Sequence, residues 1–460
     1  MKRFLMFALV ASTFLVACSK DDNQPIDGGN EKKIDTSMGL NVTFPALNET
    51  RAARAADTDN ATAGELIVNT VTVFIFNPNG SVAPGNGTER SISTDFEDQT
   101  NNMWSLKESS RIKTTSGPKK IYVAANLPSG FAATVTQENV LTQTATNFGG
   151  TLVAQLTSSG IGMMSPVKEI NLVAMTDADN LSEQTPDANK FTTSIERMVA
   201  KVAVSYASAT TTYPVSGINY YVDQFGVGQD GSAMYPAKWI NAAGKLVTPF
   251  ASRTGAPGTG RIKAINAYNA AGKPKDLTNY FYAGENATQQ GLRGEAAYAS
   301  IRAKMTPPKY WKVVADALVE DMDAPAPDAY VVFHNNQYYF TKSEAIAIAV
   351  SGVLNESNVN LPPAGYKLYS GHYCHYFVFL NRKNEATDQG HLELHRNDFI
   401  NVKVNGINGI GEPGDPDTGG ETPGPGPVDP EIPVVSIPTM IEVTVDVTPW
   451  NYTDPTVILE

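Results

Sequence analysis

Apolar residues in this chain recur at every second position in short runs, and that period is the strongest constraint on its fold. Near the start, Met38, Leu40, Val42 and Phe44 alternate with Gly39, Asn41, Thr43 and Pro45. Near the end, Ile441, Val443, Val445 and Val447 alternate with Glu442, Thr444, Asp446 and Thr448. Successive side chains of an extended strand point to opposite faces, so each run predicts a strand that buries one face. The two ends of the chain therefore carry matching devices.

The body between them has the same character. The run at 66–76 (LIVNTVTVFIF) is bounded by the turn Asn77-Pro78-Asn79-Gly80, and 120–126 (KIYVAAN) stops at Leu127-Pro128. At 198–206 (MVAKVAVSY), Met198, Ala200, Val202, Val204 and Tyr206 share one face. Further strands are predicted at 218–222, 297–305, 330–334, 337–340, 373–380 and 399–404. Short strands punctuated by Gly, Pro and Asn indicate an all-β chain of sandwiches rather than a parallel α/β sheet. Short helices are predicted at 137–141 and 343–350, and 311–320 (WKVVADALVE) has helical spacing.

Residues 1–17 read as a secretory signal of the lipoprotein type. Lys2 and Arg3 precede an apolar stretch, and Leu15-Val16-Ala17 leads into Cys18, the residue that becomes the lipidated N-terminus. The apolar run is too short to span a bilayer as a helix. Cys18 and Cys374 are the only cysteines, so no internal disulfide framework is expected. The 460 residues carry a net charge of −12, which becomes −13 once residues 1–54, with seven basic and six acidic side chains, are removed. Such a balance suits a soluble surface protein and argues against nucleic acid as a partner, which requires a basic footprint.

Three segments suggest how the ends are used. Arg51-Ala52-Ala53-Arg54-Ala55 is a basic site in a small, polar stretch suited to a protease. Cutting after Arg54 removes both arginines and exposes Ala55; cutting after Arg51 exposes Ala52. Residues 18–54 thus form a pro-segment carrying a removable first strand. A boundary is expected just after the 198–206 strand, giving sandwiches at 55–208 and 209–410. Residues 411–433 hold seven Pro, six Gly and six acidic residues without a basic one, which builds no core. At ~3.1 Å per residue this linker reaches roughly 70 Å, enough to let the segment 434–460 dock on a neighbour. The blander alternative is a loop that returns the last strand to its own sheet.

Taken in order, these strings resemble the Bacteroidales fimbrillin family, also called type V pilins. The resemblance rests on LVACSK at the signal, the Arg-Ala site, ERMVAKVAVS at 196–205, AYASIRAKMTP at 297–307, YVVFHNNQYYF at 330–340, RNDFINVKVNGI at 396–407, and IEVTVDVTPW at 441–450 after the Pro-rich linker. It implies two tandem transthyretin-like β-sandwich domains and export to the outer membrane as a lipoprotein through Cys18. It also implies trimming by an extracellular Arg-specific or trypsin-like protease. Removal of the strand bearing Met38, Leu40, Val42 and Phe44 then opens a groove. The donor strand of the next copy, with Ile441, Val443, Val445, Val447 and Trp450, fills it. On that reading the partners are other copies of the chain and related fimbrial subunits, and the product is a fimbrium built from stalk subunits. No catalytic residue or cofactor is expected. A minor or tip subunit and a surface glycan-binding lipoprotein are the alternatives. Of the five histidines, His372, His391 and His395 with Cys374 are of zinc-ligand type, but their spacing is that of strand alternation, and no metal is expected. The Gly-rich 255–261 (GAPGTGR) lacks the Lys-Ser/Thr of a phosphate loop.

Overall fold

The computed structural model describes residues 34–44, most of 65–144, 160–176 and 183–206, then 212–227, parts of 236–333, parts of 367–413, and 440–449. All of these lie in the compact unit that begins at Ile34. The fold is all-β, with a few short helical turns.

Two sheets enclose a first core. One contains Thr36–Thr43 between Lys190–Ser194 and Met103–Leu106, with Phe96–Asp98 beyond and Ile112–Thr114 also paired to the first strand. The other runs Glu196–Arg197, Met163–Met164, Gly117–Ala125, Thr70–Phe76 and Thr88–Ser91, with Lys168–Leu172 on Gly117–Ala125. Met38, Leu40, Val42 and Phe44 meet Val71, Val73, Ile75, Ile121 and Val123 in this core. The outer face of Thr70–Phe76 is covered as well, with Thr72, Phe74 and Phe76 buried, and Phe74 stands edge-on to Phe131 at 6.4 Å between ring centroids. That second covered face explains why the 66–76 run is nearly continuous in apolar residues rather than alternating.

Two more sheets enclose a second core. One runs Phe281–Gly284, Val199–Tyr206, Asp398–Ile407 and Ile441–Pro449. The other runs Thr212–Val215, Ile218–Val227, Tyr298–Thr306, Tyr373–Phe379 and Glu412–Pro413, with Ile262–Ala264 on Ile218–Val227. Val199–Tyr206 serves both cores, since Ala200, Val202 and Val204 belong to the second and Val199 and Ala203 to the first. The expected boundary at 208/209 falls after this strand, while its ladder bonds run to Phe281–Gly284 and, in parallel, to Asp398–Ile407.

The helix expected at 311–320 is a hairpin instead. Tyr310–Val314 and Ala317–Asp321 pair antiparallel, and Ala315 takes φ 49° in the turn between them. The β-branched pair Val313-Val314 favours extended backbone, and cross-strand pairing overrides a spacing that fits both periods. The predicted strand at 337–340 and helix at 343–350 lie outside the described residues.

Candidate functional site

The first strand occupies a groove with a neighbour on each side. It runs parallel to Lys190–Ser194, placing Leu40 beside Phe191 and Val42 beside Thr193. Its other edge is antiparallel to Ile112–Thr114 and then to Met103–Leu106, with Val42 opposite Trp104. Met38, Leu40, Val42 and Phe44 are each no more than 2% exposed. A strand inserted in mid-sheet, with one face wholly in the core, leaves a slot of unpaired backbone and apolar surface when it goes.

Polar groups secure the beginning of this strand. Asn189, fully buried, donates from Nδ2 to Thr36 Oγ1 (2.8 Å), Ser37 O (3.1 Å) and Val173 O (3.0 Å), and its Oδ1 accepts from Val173 N at 2.8 Å. Thr36 Oγ1 donates to Val173 O at 2.6 Å. The Asp35 carboxylate accepts from Ser116 N at 2.6 Å and Ser116 Oγ at 2.7 Å. On the outer face Ser105 Oγ donates to Asn41 Oδ1 at 2.7 Å. Sequence reasoning misses Asn189, which sits in an unpatterned Pro-Asp-Ala-Asn stretch and acts across more than 150 positions.

The last strand is seated differently. Ile441–Pro449 pairs antiparallel with Asp398–Ile407 of its own chain, from Ile407↔Ile441 to Asp398↔Pro449. It is therefore an edge strand here, as in the blander of the two expectations. Its apolar row is progressively uncovered: Ile441 is buried, Val443 half-buried, and Val445 37% exposed. Cys18, Arg51, Ala52, Arg54, Ala55 and Trp450 lie outside the described residues, as do the side chain of Val447 and the linker beyond Pro413.

No group of three or more potential metal ligands occurs among the described residues. His395 instead contacts Glu393 at 2.9 Å, and His372 Nδ1 lies 3.3 Å from the Tyr310 hydroxyl. Cys374 is buried against Ala303 O and Tyr376, and His391 is outside the described residues.

His375 is wholly buried with both ring nitrogens unpartnered, opposite Arg302 on one neighbouring strand and Glu412 on the other. Burial first, and then the Arg302 charge, push its pKa down to about 3. Burial and Lys304 likewise bring His372 to about 4 against one opposing backbone bond. Unfolding returns both to about 6.5, so between the two values the unfolded chain binds more protons. Stability is complete above about pH 6.5 and is lost as pH falls toward 4, by up to ~1.4 kcal/mol per pH unit for each ring. Urea midpoints measured from pH 7.5 to pH 4.5 are expected to fall, and less so in His375→Leu. The same slope in that variant would mean the ring is protonated in the fold.

Residues 38–215 match the family model described as Major fimbrial subunit protein (FimA). The match begins within the first strand and runs through the first sandwich and the strand shared by both cores to Thr212–Val215. The chain is similar to a solved structure of a protein assigned to cell adhesion from Parabacteroides distasonis (16% identity, TM-score 0.47, covering 92% of this chain and 98% of that one). Fimbrilin (FimA) from Porphyromonas gingivalis is similar at 14% identity and TM-score 0.43, covering 92% and 99%. The C-terminally truncated tip fimbrial protein Mfa3 from Porphyromonas gingivalis follows at 11% and 0.38, covering 90% and 100%. Among curated proteins none matches this chain. The class is thus an all-β protein whose segment 38–215 matches the model of the FimA major fimbrial subunits. That match supports reading the chain as a fimbrial subunit.

Proposed function

We infer that this chain is a stalk subunit of a surface fimbria, exported as a lipoprotein on Cys18, trimmed after Arg54 or Arg51, and polymerised by donor-strand exchange. The observation that carries this reading is the contrast between its terminal strands. The first fills a mid-sheet slot completely; the last lies at an edge with Val445 uncovered. Trimming would free the slot, and the Ile441, Val443, Val445 and Val447 row of the next copy would enter it. Four buried aliphatic side chains at ~1.5–3 kcal/mol each supply roughly 6–12 kcal/mol before ordering costs. Backbone pairing along both edges adds to that. Such a head-to-tail contact does not close on itself and so builds a filament. The partners are further copies, related subunits, an extracellular protease specific for arginine or trypsin-like, and the outer membrane before trimming.

The test is limited trypsin digestion of the signal-less protein, followed by N-terminal sequencing and electron microscopy. A new terminus at Ala55 or Ala52 accompanied by filaments is expected. Replacing both Arg51 and Arg54 by Ala should leave the protein uncut and monomeric; filaments from that variant would show that assembly needs no trimming there.

A further inference from the structure

Several donor registers would be open if only apolar residues mattered, because the row at Ile441, Val443, Val445 and Val447 can slide by two positions without changing face. The groove is not uniformly apolar, however. Position 36 is polar and fully buried, and its hydroxyl receives the Asn189 amide at 2.8 Å. An aliphatic residue there would forfeit both bonds of that hydroxyl, the one it accepts from Asn189 and the one it donates to Val173 O at 2.6 Å, and would leave the amide only carbonyl partners.

We propose, resting on the donor-strand reading above, that Asn189 fixes the register of the incoming strand by demanding Thr439. Thr439 then takes the place of Thr36, Ile441 that of Met38, Val443 that of Leu40, Val445 that of Val42 and Val447 that of Phe44. The strand runs in the same direction as the one it replaces, parallel to Lys190–Ser194. Thr439 stands two positions ahead of Ile441, the same spacing as Thr36 to Met38.

The neighbouring registers fail on named groups. A slip one way sets Ile441 against Asn189 and Pro449 on the Phe44 position. A slip the other way sets Ile437 against Asn189, Thr439 in the apolar Met38 site, and Pro438 on Ser37, opposite Lys113 in the ladder. In the proposed register Pro438 falls on Asp35, just outside the strand, where the missing N–H forfeits one long bond to Thr114 O (3.3 Å). Glu442 falls on Gly39, where an added Cβ would lie 3.1 Å from Lys190 Cγ. Lys190 is partly exposed and already serves Glu108 and Asp187, so its stem can swing aside. Val443 and Val447 are smaller than Leu40 and Phe44, so the donor underfills the groove at those two places.

Asn41 lies opposite Ser105, which places Thr444 there after exchange. The one cysteine left after trimming, Cys374, is buried, so introduced thiols report cleanly. Trypsin-trimmed Ser105→Cys is mixed with trimmed Thr444→Cys and oxidised during assembly. A covalent dimer is expected, and its loss is expected when Glu442→Cys or Asp446→Cys replaces Thr444→Cys. Thr439→Val, which keeps the shape and removes the hydroxyl, is expected to weaken assembly about tenfold. Filaments that cross-link through position 442 or 446 instead would overturn the register while leaving strand exchange standing. Absence of filaments from the trimmed parent would remove strand exchange itself, and the register with it.

Discussion

Val445→Asp is expected to leave the monomer folded and to abolish filaments. In the isolated chain Val445 is 37% exposed at a sheet edge, opposite Val402, so a carboxylate there still reaches water. Changes at such surface sites cost about 1 kcal/mol or less. On the proposed exchange, the inward row would replace Met38, Leu40, Val42 and Phe44, none more than 2% exposed. An unpaired carboxylate in that setting costs roughly 3–5 kcal/mol, a loss of about a hundredfold to several thousandfold at every joint. The outcome does not depend on the register, because a slip by two keeps Val445 inward. The measurements are a urea midpoint on the untrimmed protein and electron microscopy after trypsin. Truncation at residue 433 is a blunter version of the same test, since it also bares the Asp398–Ile407 edge and removes buried Ile441. Filaments from Val445→Asp at wild-type yield would exclude this strand as the donor.

What the sequence makes legible is local. The alternation at Met38 to Phe44 predicts both a strand and its buried face, and the structure has both. At 198–206 the alternation predicts the face carrying Ala200, Val202 and Val204, but not that the opposite face is covered by the first core. Period-2 patterning reports one apolar face and is silent about a second covered face, where Val199 and Ala203 flank the buried Lys201. The hairpin at 310–321 was not legible because Trp311, Val314 and Leu318 also fit a helical stripe. Only the cross-strand partners of Tyr310–Val314, supplied by Ala317–Asp321, decide between the two periods. Asn189 and Glu65 carry no strand-period signal, since the partners that make them matter, Thr36 and Ser37 for the one and Lys201 and Tyr282 for the other, lie more than 130 positions away. The linker's composition does not decide where the last strand docks, because 411–433 reaches its own sheet as readily as a neighbour's.

Lys201→Met is expected to destabilise the whole unit by about 3–5 kcal/mol, more than any substitution on the exposed faces. Lys201 lies on the strand shared by both cores, fully buried, with its ammonium 3.0 Å from Glu65 Oε2 and 4.0 Å from the Tyr280 ring centroid. The other Glu65 oxygen accepts the Tyr282 hydroxyl, which burial and this carboxylate hold in its neutral form well above the ordinary tyrosine pKa. Arg197 donates to the Glu65 carbonyl at 3.4 Å and to Asn397 Oδ1 at 3.4 Å. Removing the ammonium alone strands a buried carboxylate, whereas Glu65→Gln with Lys201→Met removes both charges and is expected to recover most of the loss. A double-mutant cycle of urea midpoints reads this directly; a cost below about 1 kcal/mol for Lys201→Met would mean that Glu65 is solvated or takes up a proton. Glu65 stands eleven residues beyond Arg54 and so stays with the body after trimming at either arginine. On the proposed trimming, the buried pair would therefore belong to the part that remains once the first strand has gone. It ties Glu65 to the strand that both cores share, so the proposed opening of the groove need not loosen the rest of the fold.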